Sequence, residues 1–335
     1  MGGVEVAPIL RVEDLVKVYP VRGTGQELRA VAGVSFSLGR GETLGIVGES
    51  GCGKSTTGRL LVRLEEPTEG RIELDGEDIT RIRGRALREV HRRVQLVFQD
   101  PFAALNPRLT VAQTLDEVLR VYDLAGDKAG RRRRVQELLG MVGLRSGFAD
   151  RYPHQMSGGQ CQRVGIARAL AVEPQVVVLD EPVSALDVSV QSEVMNLLTR
   201  LREELGLSYV FISHDLGMVR HISDRIVVMY LGRVVELGPW RAVSDDPLHP
   251  YTRALQEAVP VADPGIEAAR EIEPLRGEVP DPADPPAGCV FHPRCPLVED
   301  VCTTVDPELA ELLPEHQAAC HVAARRLQHP SAVGT

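Results

Sequence analysis

A phosphate-binding pattern in residues 43–57 constrains the fold of this chain more than any other feature. The stretch reads TLGIVGESGCGKSTT and fits G-x-x-x-x-G-K-[ST] from Gly48 to Ser55. An apolar run at 44–47 predicts a strand before the loop, and a helix is expected to begin near Gly53. Such glycines let the backbone curl so that successive N–H groups and the positive helix N-terminus face one anion. An ordinary glycine-rich turn is the alternative, and the flanking strand and helix argue against it.

The same pattern assigns individual phosphate contacts. Lys54 brings a point charge to the outer phosphates, and the Ser55 hydroxyl is suited to bind Mg²⁺. The residues predicted to bind the nucleotide here are Gly48, Glu49, Ser50, Gly51, Cys52, Gly53, Lys54, Ser55 and Thr56.

The composition predicts a globular chain of two domains. It has 335 residues, of which 43% are hydrophobic and 25% charged, enough to bury a sizeable core. The net charge of −9 gives no overall basic field for nucleic acid. The basic run at 131–134 is interpreted as a solvated helix start rather than a phosphate-binding patch. No apolar run approaches the roughly 20 residues that span a bilayer, and the first residues lack a secretion-signal pattern, so a cytoplasmic location is expected.

Hydrophobic periodicity divides the chain into strands, a helical insertion and a weakly patterned end. Predicted strands cover 9–19, 31–38, 44–47, 71–74, 94–98, 176–179, 209–212, 226–230 and 233–237. Predicted helical segments cover 53–64, 84–92, 111–142, 157–171 and a stretch ending near 204. Prolines between 274 and 286 indicate an extended linker, and residues 288–335 show little periodicity. The four apolar residues at 176–179 predict a strand buried on both faces, as in the parallel sheet of an α/β fold.

Polar residues follow three of the predicted strands. Asp180 and Glu181 come directly after the strand at 176–179, His214 follows the strand at 209–212, and Gln99 follows the strand at 94–98. Ligands of open α/β sheets collect at the carboxyl ends of the strands. Asp180 and Glu181 are therefore candidates for the same site as the phosphate loop, whereas a lone histidine after a strand, such as His214, is more often structural.

The order and spacing of these motifs resemble the ATP-binding-cassette (ABC) ATPases. Ser157-Gly158-Gly159-Gln160 resembles their signature motif, 176–181 their Walker B strand, Gln99 their Q-loop, 184–187 their D-loop and His214 their switch histidine. The resemblance implies an α/β fold with a P-loop NTPase (RecA-like) core, an antiparallel β subdomain, a helical insertion and a small cysteine-rich C-terminal region. The implied nucleotide-binding domain is 1–240, with its helical subdomain at about 101–160.

The resemblance also implies roles for single residues. Asp180, with Ser55 and Gln99, belongs to the Mg²⁺ shell, Glu181 is the general base, and His214 contacts the γ-phosphate. Tyr19, otherwise a half-buried strand aromatic, stacks on adenine. Segment 157–160 closes over the ATP held by a facing subunit rather than by its own chain. The implied catalytic residues are Glu181, His214 and Gln99, and the further nucleotide contacts are Tyr19, Asp180, Ser157, Gly158, Gly159, Gln160 and Asp187.

Three segments are similar to the ATPases of oligopeptide and dipeptide importers. They are VQLVFQDPFAALNPRLTV at 94–111, HPYTRAL at 249–255, and GCVF with RCP at 288–296. They mark 241–335 as the C-terminal region of that family, and the loop at 51–53 with Gln99 resembles the F-type rather than the D-type ATPase of a D/F pair. Cys161 departs from the Gln or Arg that commonly follows the signature.

Four of the six cysteines lie at the C-terminal end, in positions 289–320. Their spacing is looser than that of a zinc ribbon, and four thiolates suit either Zn²⁺ or a [4Fe–4S] cluster. Similar peptide-importer ATPases carry an iron–sulfur cluster here, which favours the cluster. Four unrelated free cysteines are the alternative, and His292, His316 and His321 are possible substitute ligands. Because the predicted phosphate contacts all precede residue 215, catalysis is not expected to need the centre. Its expected role is structural or redox-sensing, with the structural role favoured. The predicted ligands are Cys289, Cys295, Cys302 and Cys320.

The resemblance implies an ATPase that powers uptake of oligopeptides or dipeptides. Its implied partners are a second, D-type ATPase subunit, two transmembrane permeases and an extracytoplasmic solute-binding protein, with no nucleic acid, at the cytoplasmic face of the membrane. Nickel chelates, glutathione and other peptide-like solutes remain alternative cargo. A cassette ATPase of DNA repair or translation is the rival class, but those proteins usually carry coiled-coil arms or two cassettes.

Overall fold

A mixed sheet of eight strands forms the centre of the protein in a computed structural model, which describes residues 7–21, 23, 25–259, 275 and 277–328. Its strands are β3 (Thr43–Val47), β6 (Val94–Val97), β7 (Val176–Asp180), β8 (Ser208–Ser213), β9 (Arg225–Tyr230), β10 (Arg233–Pro239), β11 (Ala310–Leu313) and β12 (His316–Ala318). The strand order is β11-β12-β10-β9-β3-β8-β7-β6. The segment β9-β3-β8-β7-β6 is parallel, and β10, β12 and β11 continue it antiparallel.

A second sheet packs against the first. It contains β1 (Leu10–Pro20), β2 (Glu27–Leu38), β4 (Glu69–Leu74) and β5 (Glu77–Asp78), in the antiparallel order β2-β1-β4-β5. Strand β2 begins four residues earlier than predicted because Glu27 pairs with Pro20 across the hairpin.

Helices are the other main elements of the described chain, and several of them pack on the parallel strands. They are α1 (Lys54–Leu61), α2 (Gly84–Arg93), α3 (Val111–Val121), α4 (Lys128–Met141), α5 (Gly158–Leu170), α6 (Val188–Leu205), α7 (Leu216–Ile222), α8 (Trp240–Asp245), α9 (Pro250–Glu257), α10 (Asp300–Thr304) and α11 (His321–Gln328). No helix within the described ranges is long and apolar enough to cross a membrane.

Alternation along the buried strands divides the core into two parts. In β7, Val177 and Leu179 pack with the apolar residues of α3 to α7, whereas Val176 and Val178 pack with α1 and the antiparallel sheet. All five residues of β7 are buried, as predicted for a strand of a parallel sheet covered on both faces.

The helical segment predicted at 111–142 consists of α3 and α4. Between them, Asp123, Ala125 and Gly126 have positive φ angles of 53°, 60° and 64°, which a helix cannot accommodate. Asp127 then caps α4 by accepting a hydrogen bond from the backbone N–H of Gly130 at 2.7 Å. Arg131, in the basic run, forms an ion pair of 2.8 Å with Asp116 of α3, consistent with an ordinary solvated helix face.

The tail contributes two strands, β11 and β12, to the main sheet. We define the tail as residues 240–259, 275 and 277–328. In β12, Gln317 and Ala318 pair with Leu237 and Glu236 of β10. Sequence periodicity missed these elements because β11 and β12 have only four and three residues. Such short strands are specified by the strand they pair with, which is β10 for β12 and β12 for β11, and not by an alternation of their own.

Candidate active site

Four loops meet at the carboxyl ends of neighbouring parallel strands. The phosphate loop follows β3, Gln99 follows β6, Glu181 follows β7 and His214 follows β8. Because β3, β8, β7 and β6 are adjacent and parallel, the chain brings these four positions to one edge of the sheet. They line a cleft with a volume of about 550 Å³, within the range of small-molecule sites.

The phosphate loop has a closed shape that its glycines require. A Cβ atom on Gly53, whose φ is 102°, would lie 2.2 Å from the Ala30 carbonyl oxygen. Lys54 is 4% exposed, and its ammonium donates hydrogen bonds to the carbonyl oxygens of Gly48 at 2.7 Å and Glu49 at 2.9 Å. The lysine thus bridges its own loop from inside and lies beside the predicted phosphate position.

Ser55, which lines the cleft, bonds directly to the buried Asp180. The Ser55 hydroxyl donates a hydrogen bond of 2.8 Å to Asp180 Oδ1. Burial raises the pKa of the Asp180 carboxyl, and the bond from Ser55 opposes that rise. A hydroxyl and a carboxylate oxygen at this separation suit a hard cation such as Mg²⁺.

The carboxylate of Glu181 contacts two other residues that were predicted to be catalytic. Gln99 Nε2 donates a hydrogen bond of 2.9 Å to Glu181 Oε2, and His214 Nδ1 lies 3.3 Å from the same oxygen. The backbone of Glu181 is left-handed, with φ of 46°, and its N–H bonds to the Ile212 carbonyl at 2.9 Å. A non-glycine residue in this region costs on the order of 1–3 kcal/mol, and here the turn directs the carboxylate into the cleft.

Tyr19 lies at the rim of the cleft, together with Ser50, Gly51 and Thr56. Its hydroxyl donates a hydrogen bond to the Glu65 carboxylate. Burial, followed by that carboxylate, raises the pKa of Tyr19 to about 12.

The signature segment lies in a different cleft from the phosphate loop. Ser157 caps α5 by accepting a hydrogen bond from the Gln160 backbone N–H at 3.3 Å, and Gln160 bonds back to the Ser157 N–H at 3.1 Å. Ser157, Gly159 and Gln160 line this second cleft with Arg145 and Arg163.

The two signature glycines pack against the start of α6. A Cβ on Gly158 would lie 3.1 Å from Leu186 Cδ2, and one on Gly159 would lie 2.3 Å from Val190 Cγ1. Asp187 caps α6 by accepting a hydrogen bond from the Val190 N–H at 3.0 Å. Its pKa is lowered by hydrogen bonds, first from Ser189 and then from Val190.

Two residues of the tail contact the phosphate loop, and sequence analysis gave them no role. Arg294 donates to both carboxylate oxygens of Glu49, at 2.7 and 3.2 Å. The Glu49 N–H donates to the Tyr251 hydroxyl at 2.8 Å. Both residues lie in segments noted only as family markers, so their residue types alone held no signal of this contact.

The four tail cysteines lie near one another. The Cys289 N–H bonds to the Cys302 carbonyl at 2.9 Å. The pKa of Cys289 and that of Cys295 are each raised to about 11, mainly by burial and to a smaller extent by neighbouring tail thiols, Cys302 and Cys320 among them. The Cys295 and Cys320 sulfurs accept backbone N–H bonds at 3.4 and 3.5 Å. All six cysteines, each within the described ranges, are free.

The donor chemistry of these thiols suits a metal, but they do not form a ready ligand group. In the described part of the chain, no three His, Cys, Asp or Glu side chains are arranged to hold a metal ion. The suggested substitute ligands have other partners. His316 lies 2.7 Å from Glu236, His292 lies 3.0 Å from the Cys289 carbonyl, and His321 lies 2.9 Å from the Val305 carbonyl.

Comparison with known proteins identifies the family. Residues 31–184 match the model of the ABC transporter family, and residues 235–302 match the oligopeptide/dipeptide transporter C-terminal region. The chain is 52% identical over 320 residues to the oligopeptide transport ATP-binding protein AppF of Bacillus subtilis (strain 168), covering 94% of this chain and 97% of that protein. It is 51% identical over 282 residues to OppF of Salmonella typhimurium, with 84% of each chain covered.

A solved structure has the same cassette fold. The dimeric, post-hydrolysis ATP-binding cassette MJ0796, bound to ADP and phosphate, superposes with a TM-score of 0.63 at 33% identity, covering 69% of this chain and 99% of that one. The chain therefore belongs to the ATP-hydrolysing cassettes of ABC transporters. Within that family it is an ATP-binding subunit of the oligopeptide importer type.

Proposed function

We propose that this chain hydrolyses ATP at the edge of its parallel strands to power uptake of oligopeptides or dipeptides. The observation that carries the catalytic part is the contact of Glu181 with both Gln99 and His214 beside the Ser55–Asp180 pair. The cargo rests on the names of the relatives and on the matched C-terminal region. Nickel chelates, glutathione and other peptide-like solutes are the alternative cargo.

Each residue at this edge has a distinct proposed role. The phosphate loop and Lys54 bind the β- and γ-phosphates, and Ser55, Asp180 and Gln99 hold Mg²⁺. When bound there, Mg²⁺ neutralises charge that develops on the phosphates. Tyr19, at the rim, stacks on the adenine.

Glu181 acts as the general base of the proposed mechanism. Its carboxylate takes a proton from the attacking water as the water oxygen bonds to the γ-phosphorus and the bond to the ADP oxygen breaks. Gln99 orients the carboxylate by its hydrogen bond. His214, beside the same oxygen, contacts the γ-phosphate and responds to its release.

A complete site needs two subunits in this proposal. The signature residues and the phosphate loop line separate clefts of one chain, so Ser157–Gln160 are assigned to the ATP of a facing subunit. That subunit is a D-type ATPase, and Asp187 lies beside the shared boundary. Two transmembrane permeases and an extracytoplasmic binding protein complete the importer, which sets this chain at the cytoplasmic face of the membrane.

The four tail cysteines are proposed to bind a [4Fe–4S] cluster, with Zn²⁺ as the alternative. Support comes from their position in one part of the tail, where the Cys289 N–H bonds to the Cys302 carbonyl, and from the N–H donors to the Cys295 and Cys320 sulfurs. The ligands would be Cys289, Cys295, Cys302 and Cys320. Such a centre would stabilise the fold of the tail, with 241–335 forming a region distinct from the 1–240 cassette.

Peptide uptake in proteoliposomes tests the transport function. The chain is purified with whichever permeases and ATPase accompany it, and uptake of a labelled oligopeptide is measured with and without ATP. We expect uptake that requires ATP and is lost in Glu181→Gln but not in the exposed Glu203→Gln. If a nickel chelate or glutathione stimulates ATP hydrolysis and peptides do not, that solute replaces peptides as the proposed cargo. Purification without any permease would favour the rival class.

A further inference from the structure

Glu49 of the phosphate loop is held at three points. Its carboxylate accepts two hydrogen bonds from Arg294, its N–H donates to the Tyr251 hydroxyl, and its carbonyl accepts a bond from Lys54. Two of these three partners belong to the tail. A continuous set of contacts therefore joins Arg294, Glu49 and Lys54, the residue assigned to the phosphates.

The tail side of this contact is buried among aromatic rings. The Arg294 side chain is 6% exposed, and its guanidinium lies 5.9 Å from the centre of the Tyr230 ring. Tyr230, Tyr251 and Phe291 form an aromatic cluster with ring centres 4.7 to 5.4 Å apart. A charged group here needs its carboxylate partner, because removing one member of a buried ion pair leaves the other uncompensated.

The position of Arg294 depends on the local fold of the tail. Arg294 ends a short turn in which its N–H bonds to the Phe291 carbonyl at 3.0 Å. The same turn is tied to the next helix by the bond from Cys289 to Cys302. A Cβ on Gly288, whose φ is 67°, would lie 2.5 Å from the Cys302 carbonyl oxygen, so this approach requires glycine. These contacts connect the backbone around Gly288 and Cys302 to the turn that carries Arg294, whose guanidinium bonds to Glu49.

We infer that Arg294 and Tyr251 are positioning residues that hold the phosphate loop in its nucleotide-binding shape, so that ATP binding and the folding of tail residues 288–302 stabilise each other. The inference rests on the proposed assignment of 48–55 as the phosphate-binding loop. It makes the tail a regulatory input to the ATPase, since coupling between two sites acts equally in both directions.

Nucleotide binding to the full chain tests one direction of the coupling. Mg-ATP affinity is measured by calorimetry in a Glu181→Gln background, which suppresses hydrolysis. Arg294→Lys keeps the charge but loses the two-point contact, and Tyr251→Phe keeps the ring but loses the hydroxyl. We expect each to weaken ATP binding by about 5-fold or more, the lower end of the usual coupling range. Arg200→Lys is the matched control, because Arg200 makes an exposed ion pair with Glu204 within α6, outside both the phosphate loop and the tail.

Hydrogen exchange of residues 288–302 with and without Mg-ATP tests the other direction. ATP is expected to slow exchange in the chain with Arg294 and to have less effect in Arg294→Lys, a change that a purely structural role for the arginine would not produce. Unchanged ATP affinity in both variants, or exchange that ignores ATP, would overturn the inference. Lys54→Ala separates the two assignments. If it leaves ATP affinity unchanged, the phosphate-loop assignment fails; if only Lys54→Ala weakens binding, the loop stands and the coupling fails.

Discussion

Two regions hold the phosphate loop, and they are built on different principles. On one side, the ends of parallel strands bring Gln99, Glu181 and His214 together over a core of buried strands. On the other side, the tail reaches Glu49 through polar contacts of single residues. The first arrangement follows from backbone topology, whereas the second depends on particular side chains. Sequence motifs therefore predict the residues on the strand side of a site, but they do not predict the side-chain contacts on the tail side.

Removing the base on the strand side is expected to have the largest effect. Glu181→Gln keeps the shape and the contacts to Gln99 but cannot accept the proton from water. We expect ATP hydrolysis to slow by roughly 10²–10⁴, with ATP still bound and the dimer trapped in a closed state. Steady-state ATPase assays and size-exclusion chromatography with ATP check this, with Glu203→Gln as the control. A near-normal ATPase rate in Glu181→Gln would show that Glu181 is not the general base.

The free energy of unfolding is expected to fall at acid pH because of a buried histidine in the tail, His249. Burial lowers the pKa of His249 to about 4, against the attraction of Glu236. Above pH 6.5 the neutral ring is compatible with burial. As the pH falls toward 4, the unfolded chain binds a proton that the folded chain resists, so about 3 kcal/mol of stability is lost.

Urea unfolding of His249→Asn between pH 7 and 4 checks that assignment. Asparagine keeps an acceptor at the start of α9, where His249 now accepts the Tyr251 N–H, but it does not titrate. The variant should therefore lose less stability over this pH range than the parent chain. The exposed His221→Asn serves as control, and equal pH dependence in all three proteins would rule out His249 as the source.

A smaller effect, on ATP affinity, is expected from the cysteine centre. Anaerobically purified protein should be brown and contain about four irons per chain, and Cys295→Ser should lose the colour and loosen 288–302. Because Cys295 follows Arg294, ATP affinity should fall, but by no more than in Arg294→Lys. Cys161→Ser, at a cysteine far from the tail in sequence, is the control. Stoichiometric zinc without iron would replace the cluster with a zinc site, and free thiols without metal would remove the centre altogether.

Sequence analysis predicted most of the strand side because buried parallel strands share one sequence pattern, a short unbroken run of apolar residues. The buried strands at 176–179 and 209–212 show their burial as unbroken apolar runs, and parallel neighbours bring the residues that follow them together. The helical insertion was also predicted, except that positive φ angles at 123–126 divide it into α3 and α4. These angles follow from local turn geometry, which periodicity does not report.

The tail was predicted poorly because pairwise polar contacts determine it. Glu236, fully buried in β10, accepts N–H bonds from Leu248 and His249 at 2.8 Å and lies 2.7 Å from His316 of β12. A charged residue in a strand gives no sign of such partners, which lie 12 to 80 residues away in the chain. The contact of Arg294 with Glu49 spans 245 residues and was missed for the same reason.

The dependence of the specific ATPase rate on protein concentration tests the central claim most directly. If the signature segment of one chain completes the phosphate site of another, the rate per subunit should rise with concentration. It should rise further on adding the partner ATPase and should level off as dimers saturate. Gly159→Arg places a side chain where even a Cβ would be too close to Val190. It should lower the maximal ATPase rate per subunit without preventing ATP binding. A rate per subunit that is constant from nanomolar to micromolar protein, in a chain shown to be monomeric, would contradict the account.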